Sequence, residues 1–323
     1  MLYFFRLIDR WLRTYHSHLT CQITYSLLFL FLAVSLQGCN KAPETYVSES
    51  TTIRDNTPEC LVPIAEGAVV YSNDYVMVDA SNINEGYIMV SYLGSNENVK
   101  LQLVEPDYMT YTYNLKKDGY GVFPLSAGSG NYTLGVYENV EGNQYATVFS
   151  QEITVDVTNA MGAFLYPNQY VNFTNTSQVV SMAEELVSNA HDDLEAIISV
   201  YSYVVSNITY DFDKAENVQS GYVPNVDEIL ETKTGICLDY AAVMASMLRS
   251  QKIPTRLEVG YAGDAYHAWI STYVEDKGWV NGMIQFDGLN WSIMDPTFAA
   301  NVGEKDLKNF IGDGDNYVTK YVY

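Results

Sequence analysis

The period of the apolar residues changes once along this chain, and that change limits the folds it can adopt. Between about residues 64 and 157, short runs of β-branched and aromatic residues are separated by Gly, Asn, Asp and Ser. Tyr111, Tyr113 and Leu115 show the two-residue period of a strand with one buried face. Turn residues recur about every 10 residues. This pattern predicts an immunoglobulin-like β-sandwich over residues 63–158.

Past residue 175 the period becomes helical. Leu194, Ile197, Ile198, Tyr201 and Val205 fall on one face of a helix. Further helices are predicted around residues 225–232 and after residue 237, and strands follow between residues 255 and 297. Helices that precede a set of strands are typical of an α+β domain with an antiparallel sheet. The sequence therefore predicts a second domain, of α+β class, over residues 175–323.

The first 38 residues are typical of a secretion signal. Three arginines precede the apolar run SLLFLFLAVSL at residues 26–36, which is too short to span a bilayer because a spanning helix needs about 20 residues. The run leads into Leu36–Cys39, which resembles the lipobox of bacterial lipoproteins. The resemblance implies cleavage before Cys39, a lipid on Cys39, and anchoring at the outer face of the membrane or in the cell envelope. An ordinary signal peptide with a coincidental cysteine is the alternative.

Residues 39–62 are rich in Ser, Thr, Glu and Pro and lack an apolar period, which predicts a flexible tether. The chain carries 39 acidic and 17 basic residues, a formal net charge of −22. Binding of DNA or RNA requires clustered Lys and Arg, so the charge argues against a nucleic-acid partner. An acidic chain would instead attract a basic, amine-bearing partner.

Cysteine is rare in the predicted mature chain. Of the four cysteines, Cys21 lies in the signal and Cys39 is the predicted lipid site, which leaves Cys60 and Cys237. A disulfide between these two is not expected, because Cys60 lies in a proline-flanked stretch of the tether. Cys237 lies in the predicted first turn of a helix, on its apolar face. It is either a small buried side chain or a nucleophile whose pKa the helix N-terminus lowers.

A thiol nucleophile needs a base, which is normally a histidine oriented by a carboxylate or an amide. Two histidines follow the signal, His191 and His267. His191 lies at a helix junction beside two acids and is interpreted as a cap or surface residue. His267 lies on an apolar, aromatic strand, and Asp295 ends the last clear strand. An acid there is costly to bury without a partner, and a histidine on a neighbouring strand would supply one.

The stretches around these residues resemble the bacterial transglutaminase-like superfamily, a group of papain-related thiol enzymes. The matching stretches are Gly235–Ala241, Gly260–Tyr261, Tyr266–Trp269 and Asp295–Thr297. The resemblance covers roughly residues 180–300 and rests on a three-part signature of cysteine, histidine and acid. It implies a domain of helices packed on an antiparallel sheet.

The resemblance also implies a catalytic triad of Cys237, His267 and Asp295. Cys237 would attack the carbonyl carbon of a glutamine side chain or peptide amide, His267 would move the proton, and Asp295 would hold the imidazole tautomer. The acyl group would pass to an amine or to water, which gives crosslinking, deamidation or proteolysis. The backbone amide of Cys237 and, second, the side chain of Tyr210 are the candidate oxyanion donors. Asp239 is interpreted as a packing residue.

A different class of function stays open, that of a cell-surface binding or adhesion lipoprotein in which the thiol-enzyme fold is a non-catalytic platform. The sequence does not determine the oligomeric state. Cell-wall peptides remain a substrate class, because cell-wall peptidases have a related fold. No cofactor is expected, and no metal, since a second histidine at ligand spacing and a Cys-x-x-Cys pair are absent from the sequence.

Overall fold

Strands fill the chain from residue 70 to residue 155, and longer helices begin at residue 178. The computed structural model describes residues 48, 50–117, 119–262, 265–275, 278–281, 284–286, 291–293 and 317–323. Residues 45–323 belong to one compact unit. The predicted change from a strand period to a helix period is confirmed.

Two four-stranded antiparallel sheets form the N-terminal half. The strands are β1 Val70–Ser72, β2 Val76–Asp79, β3 Tyr87–Tyr92, β4 Val99–Val104, β5 Thr110–Leu115, β6 Tyr120–Pro124, β7 Gly130–Glu141 and β8 Gln144–Val155. One sheet has the order β1-β2-β3-β6 and the other β5-β4-β7-β8. This is the predicted β-sandwich.

Alternation along β4 and β5 gives the second sheet two different faces. On β5, Tyr111, Tyr113 and Leu115 are buried, as their two-residue period predicts. Lys100 of β4 pairs with Asn114 of β5, and both are only half-buried. The sheet therefore turns one face to the core and leaves polar side chains on the other.

Five helices follow the sandwich in the described part of the chain. They are α1 Gln178–Val187, α2 Asp193–Asn207, α3 Phe212–Asn217, α4 Val226–Thr232 and α5 Cys237–Ser250. The longer central helices α2 and α5 pack against each other and against α1. None of the described helices is long and apolar enough to cross a membrane.

The buried face of α2 is rotated from the predicted one. Leu194, Ile197 and Tyr201 are buried as expected, but Ile198 and Val205 are only half-buried. Three smaller residues complete the buried face instead: Ala196, Val200 and Val204. The reason is that α2 packs against both α1 and α5. Its buried face therefore includes Ala196, while Ile198 remains partly exposed.

A third four-stranded antiparallel sheet lies against α5. Its strands are β11 Thr255–Ala262, β12 Ala265–Val274, β13 Gly278–Asn281 and β16 Tyr317–Val322, in the order β13-β12-β11-β16. Two small pairs accompany it: the parallel pair β9 Thr209–Tyr210 with β10 Thr234–Gly235, and the antiparallel pair β14 Ile284–Phe286 with β15 Trp291–Ile293. Helices on an antiparallel sheet are the predicted α+β architecture.

The predicted flexible tether is in fact bound along part of its length. The N–H of Arg54 donates to the carbonyl of Ala190 at 3.1 Å, and its guanidinium meets the Asp193 carboxylate at 3.2 Å. The N–H of Glu59 donates to the carbonyl of Ser250 at 2.8 Å. Residues 54 and 59 of the predicted tether are therefore held against the helices. The polar composition of the tether does not predict these contacts. They depend on carbonyls and charges that the ends of the helices leave available for hydrogen bonds and ion pairs.

Arg249, near the end of α5, joins three parts of the chain. Its side chain is 1% exposed and donates to the carbonyls of Thr255, Tyr166 and Tyr323 at distances of 2.7–2.9 Å. Burial lowers the pKa of Arg249 to about 9. The segment after the sandwich, the central helix and the C-terminal strand are thereby held at one point.

Candidate active site

Cys237 is the first residue of α5, as the sequence predicts. The turn before it is held by the parallel pairing of β10 with β9, in which Gly235 lies opposite Tyr210. The N–H of Asp211 donates to the carbonyl of Gly235 at 2.9 Å. This pairing places Tyr210 beside the start of the helix.

A buried carboxylate holds the start of α5. Asp239 is fully buried, and its carboxylate accepts the N–H of Ile236 at 2.9 Å, one of the amides that a helix N-terminus leaves without a partner. The Tyr222 hydroxyl and the Lys214 ammonium each donate to Asp239 at 2.6 Å. Lys214 also donates to the Tyr222 hydroxyl at 2.7 Å. Asp239 is therefore a polar anchor, and its interpretation as a packing residue is incomplete.

Gly235 lets this anchor form. A Cβ atom on Gly235 would lie 2.7 Å from the Cβ of Asp239, well inside the contact distance of two carbon atoms. Any larger residue would push the turn away from the carboxylate. The Thr-Gly pair before Cys237 is thus required by packing as well as by the turn.

Burial controls the Cys237 thiol. Burial raises its pKa above the ordinary value, although hydrogen bonds from the backbones of Ala268 and Leu238 and from the Tyr210 side chain act in the opposite direction. Of the two interpretations from the sequence, the direction of this pKa agrees with that of a buried thiol. Loss of solvation outweighs the amides of the helix N-terminus.

His267 directly precedes a residue that contacts this thiol. It is on β12, opposite Gly260 of β11 and one position before Ala268, whose backbone bonds the Cys237 sulfur. Its ring stacks on Trp269 with 6.3 Å between centroids, as expected for two residues on one face of a strand. Burial lowers the pKa of His267 to about 4, so the imidazole is neutral at neutral pH.

One nitrogen of this imidazole has no partner in the described part of the chain. His267 Nε2 is buried and accepts or donates no hydrogen bond among the described residues. Buried polar atoms are paired in most native structures. A hydrogen-bond partner for Nε2 is therefore expected from a segment outside the described residues. Asp295, the predicted acid, lies outside the described residues, as does Cys39.

Tyr210 contacts Cys237 twice. Its hydroxyl is hydrogen-bonded to the backbone N–H of Cys237 and to the thiol. Burial, with the neighbouring thiol, raises the pKa of Tyr210 to about 12, so the hydroxyl keeps its proton at neutral pH. The two candidate oxyanion donors, this hydroxyl and the Cys237 amide, are adjacent in the structure.

These side chains open onto one cavity. Cys237, His267 and Tyr210 line a pocket of about 680 Å³. His191 is elsewhere, directly before Asp192, the N-cap of α2, and its Nδ1 lies 3.0 Å from the Glu195 carboxylate. Cys60 and Cys237 are both free thiols. Within the described residues, no group of three or more His, Cys, Asp and Glu could hold a metal ion.

Sequence reasoning missed three residues of this region. Lys214 and Tyr222 lie in a polar stretch without an apolar period, and Lys100 comes from the other domain. For the first two no signal was available, because Asp239, which they contact, lies opposite the apolar stripe of Cys237 and Tyr240 on the helix, and only the structure shows that it is buried. Nothing in the sequence near Lys100 connects it to Cys237.

Comparison with known proteins shows what the second domain is similar to. Residues 180–282 match the family model of the transglutaminase-like superfamily. The chain contains a transglutaminase-like domain. The matched range includes Tyr210, Cys237 and His267, and it ends before Asp295. The thiol and the imidazole thus belong to a thiol-enzyme fold.

Individual relatives of the transglutaminase-like domain are distant. Kyphoscoliosis peptidase of Homo sapiens is 25% identical over 139 residues, which cover 37% of this chain and 20% of the peptidase. Protein-glutamine gamma-glutamyltransferase of Pseudomonas aeruginosa is 33% identical over 70 residues, which cover 17% of this chain and 10% of that protein. The solved structure of red sea bream transglutaminase is 15% identical with a TM-score of 0.27, covering 65% of this chain and 48% of its own. This chain spans a minor part of the length of both curated relatives.

The anchor at the helix start can be tested by replacing its carboxylate. Asp239→Asn should lower the free energy of unfolding by about 3 kcal/mol, because Lys214 loses its buried counter-charge and an amide N–H₂ meets an ammonium. Denaturant unfolding of the purified chain measures the change. Glu216→Gln, which neutralises an exposed acid on α3, is the matched control and should stay within about 0.5 kcal/mol of the wild type. Equal stability of the two variants would contradict the role of Asp239.

Proposed function

We propose that this chain is a thiol acyl-transfer enzyme that acts on glutamine side-chain or peptide amides. The observation that carries the proposal is the hydrogen bond from the Ala268 backbone to the Cys237 sulfur. His267 directly precedes Ala268 and lines the same cavity as Cys237, so that a thiol and a neutral imidazole share one cavity. A nucleophile beside a base is the arrangement that acyl transfer requires.

The proposed reaction begins with both groups neutral. As the Cys237 sulfur attacks the amide carbon, His267 takes the thiol proton through Nδ1, so that a free thiolate is never exposed in the cavity. The carbonyl oxygen becomes an oxyanion and accepts hydrogen bonds from the Tyr210 hydroxyl and the Cys237 N–H, which give up their bonds to the thiol and to each other. The carbon–nitrogen bond then breaks, His267 returns the proton to the leaving amine, and a thioester remains. An amine or water attacks the thioester and releases the thiol.

Asp295 is the proposed partner of His267. The supporting observation is that Nε2 of His267 is buried without a partner among the described residues. An Nε2–H that donates to a carboxylate would hold the ring in the tautomer that leaves Nδ1 free to take the thiol proton. Asp295 comes two residues after the end of β15 in the sequence and is the acid that the family resemblance assigns to this place.

The neutral state of the pair predicts a characteristic pH dependence. His267 has a pKa of about 4 and Cys237 a pKa above the ordinary thiol value, so between these values thiol and imidazole are both uncharged. The rate of Cys237 alkylation by iodoacetamide should therefore rise about tenfold per pH unit from about pH 5 to pH 8. Mass spectrometry of the modified peptide measures the rate. A plateau over that range would reveal a preformed thiolate–imidazolium pair and would contradict this prediction.

Activity can be tested with a panel of acyl donors, including a glutamine-containing protein and cell-wall peptides, together with a tagged amine. Incorporation of the amine reports transfer, a mass shift reports deamidation, and new fragments report proteolysis. Cys237→Ala and His267→Ala should each lower the rate at least about 100-fold, and Asp295→Asn should lower it as well. Cys60→Ala, His191→Ala and Asp306→Asn are matched controls and should keep the wild-type rate. Product formation by Cys237→Ala would rule out the proposal, and its absence from the wild type with every donor would favour the binding-platform function.

We also propose that the chain is exported and anchored through a lipid on Cys39. The support is the short apolar run that leads into Leu36–Cys39. In a bacterial host the mature protein should begin at Cys39 and carry a mass increase from the lipid, and it should partition with membranes. Cys39→Ala should abolish the cleavage before residue 39, the mass increase and the partitioning with membranes, whereas Cys60→Ala should leave all three unchanged. A mature N-terminus at any other residue would contradict the proposal.

A further inference from the structure

The cavity that contains Cys237 has a wall from the β-sandwich. Lys100, Thr112 and Asn114, on β4 and β5, line it together with residues of the transglutaminase-like domain. All three lie on the polar face of the second sheet, away from the buried face of Tyr111 and Tyr113. The sandwich is therefore part of the site and does not only precede it in the chain.

Hydrogen bonds hold this wall in place. The Asn114 side chain donates to the carbonyl of Gly221 at 3.3 Å, and the Gln169 side chain donates to the carbonyl of Asn114 at 2.8 Å. Gly221 has φ +85°, and a Cβ atom there would lie 2.3 Å from the Asn114 amide nitrogen. The loop that includes Tyr222 thus approaches the sandwich as closely as a glycine permits. Through Tyr222 the same loop is bonded to Asp239 at the start of α5.

The charge of this cavity differs from that of the chain. The chain has 39 acidic and 17 basic residues, yet none of the described residues that line the cavity is Asp or Glu, and Lys100 alone among them has a fixed charge. Asp239 lies behind the lining and is neutralised by Lys214. In a strongly acidic protein, a candidate nucleophile whose described surroundings include an ammonium and no carboxylate in the cavity lining is the feature that requires an explanation.

Lys100 has no counter-charge within ion-pair distance among the described residues. Its ammonium donates to the side-chain oxygen of Asn114, a neutral group. An adjoining groove adds Lys116 and Lys117, of which Lys117 is paired with Glu97. Lys100 is half-buried where the groove and the cavity meet. An ammonium in that position is available to bind an anionic group of a ligand.

We propose that Lys100 binds a carboxylate of the acyl donor, so that the preferred substrate is an acidic peptide whose amide carbonyl reaches Cys237. This inference rests on the proposed function for the identity of the reacting group, but the carboxylate site itself does not require turnover. The carboxylate is either a free C-terminus or an acidic side chain, since both present the same two oxygens to the ammonium. Lys100 is in this role a specificity-determining residue, which acts on binding and not on the bond that breaks.

Two alkylating reagents that differ by a carboxylate test the site. Cys237 is alkylated with iodoacetate and with iodoacetamide, and the ratio of the two rates is compared between variants. Lys100→Gln should lower the ratio of the iodoacetate rate to the iodoacetamide rate about fivefold, which is the effect expected from the loss of one partly solvent-screened ion pair. The iodoacetamide rate itself should not change. Lys116→Gln, which removes the same charge outside the cavity, is the matched control and should keep the wild-type ratio. No effect of Lys100→Gln, or an equal effect of both variants, would overturn the proposal.

Peptide binding to the Cys237→Ala variant separates this inference from the proposed function and identifies the carboxylate. Three glutamine peptides that differ only in their carboxylates are compared by calorimetry. One is neutral and amidated, one has a free C-terminal carboxylate, and one is amidated and carries a single Glu substitution. At least one acidic peptide should bind about fivefold tighter than the neutral one, and adding Lys100→Gln should remove the difference. Equal binding of all three would overturn the carboxylate site even if the wild type turns over. A Lys100-dependent difference with no turnover would retain the site and reject acyl transfer.

Discussion

The buried carboxylate of Asp239 determines how the residues around the cavity are placed. Isolated in the interior, this charge would cost several kcal/mol, so the chain satisfies it with the Ile236 amide, the Tyr222 hydroxyl and the Lys214 ammonium. Each of these donors belongs to a different local segment. The helix that begins with Cys237, helix α3 and the loop that reaches the sandwich are consequently held by one group.

Burial then sets the chemical state of the site. It raises the pKa of Cys237 and lowers the pKa of His267 to about 4, and both shifts favour the uncharged form. A neutral pair of this kind protects the thiol from indiscriminate reaction in an oxidising environment, because the thiolate is the reactive species. Under the proposed function, negative charge develops on the substrate carbonyl oxygen only during the reaction. The Tyr210 hydroxyl and the Cys237 N–H would then stabilise this oxyanion.

The arrangement of the two domains gives the sandwich a direct part in the site. A sandwich that served only as a spacer would not need to place Lys100 and Asn114 in the wall of the Cys237 cavity. Because Lys100 and Asn114 line the Cys237 cavity, we infer that substrate choice in this chain depends on its sandwich and on the loop that includes Tyr222.

The sequence by itself determined the features that depend on neighbouring residues. The two-residue and helical periods predicted the sandwich and the α+β domain, and the Thr-Gly turn predicted a helix beginning at Cys237, because periodicity and turn chemistry are local. Tertiary structure alone decided the pKa of Cys237, the binding of the tether from residue 54, and the partners of Asp239. It alone brought Lys100 to the Cys237 cavity. These outcomes depend on burial and on contacts between separate segments, which for the tether and for Asn114 lie more than 100 residues apart in the chain. A local sequence pattern does not show which separate segments will pack together.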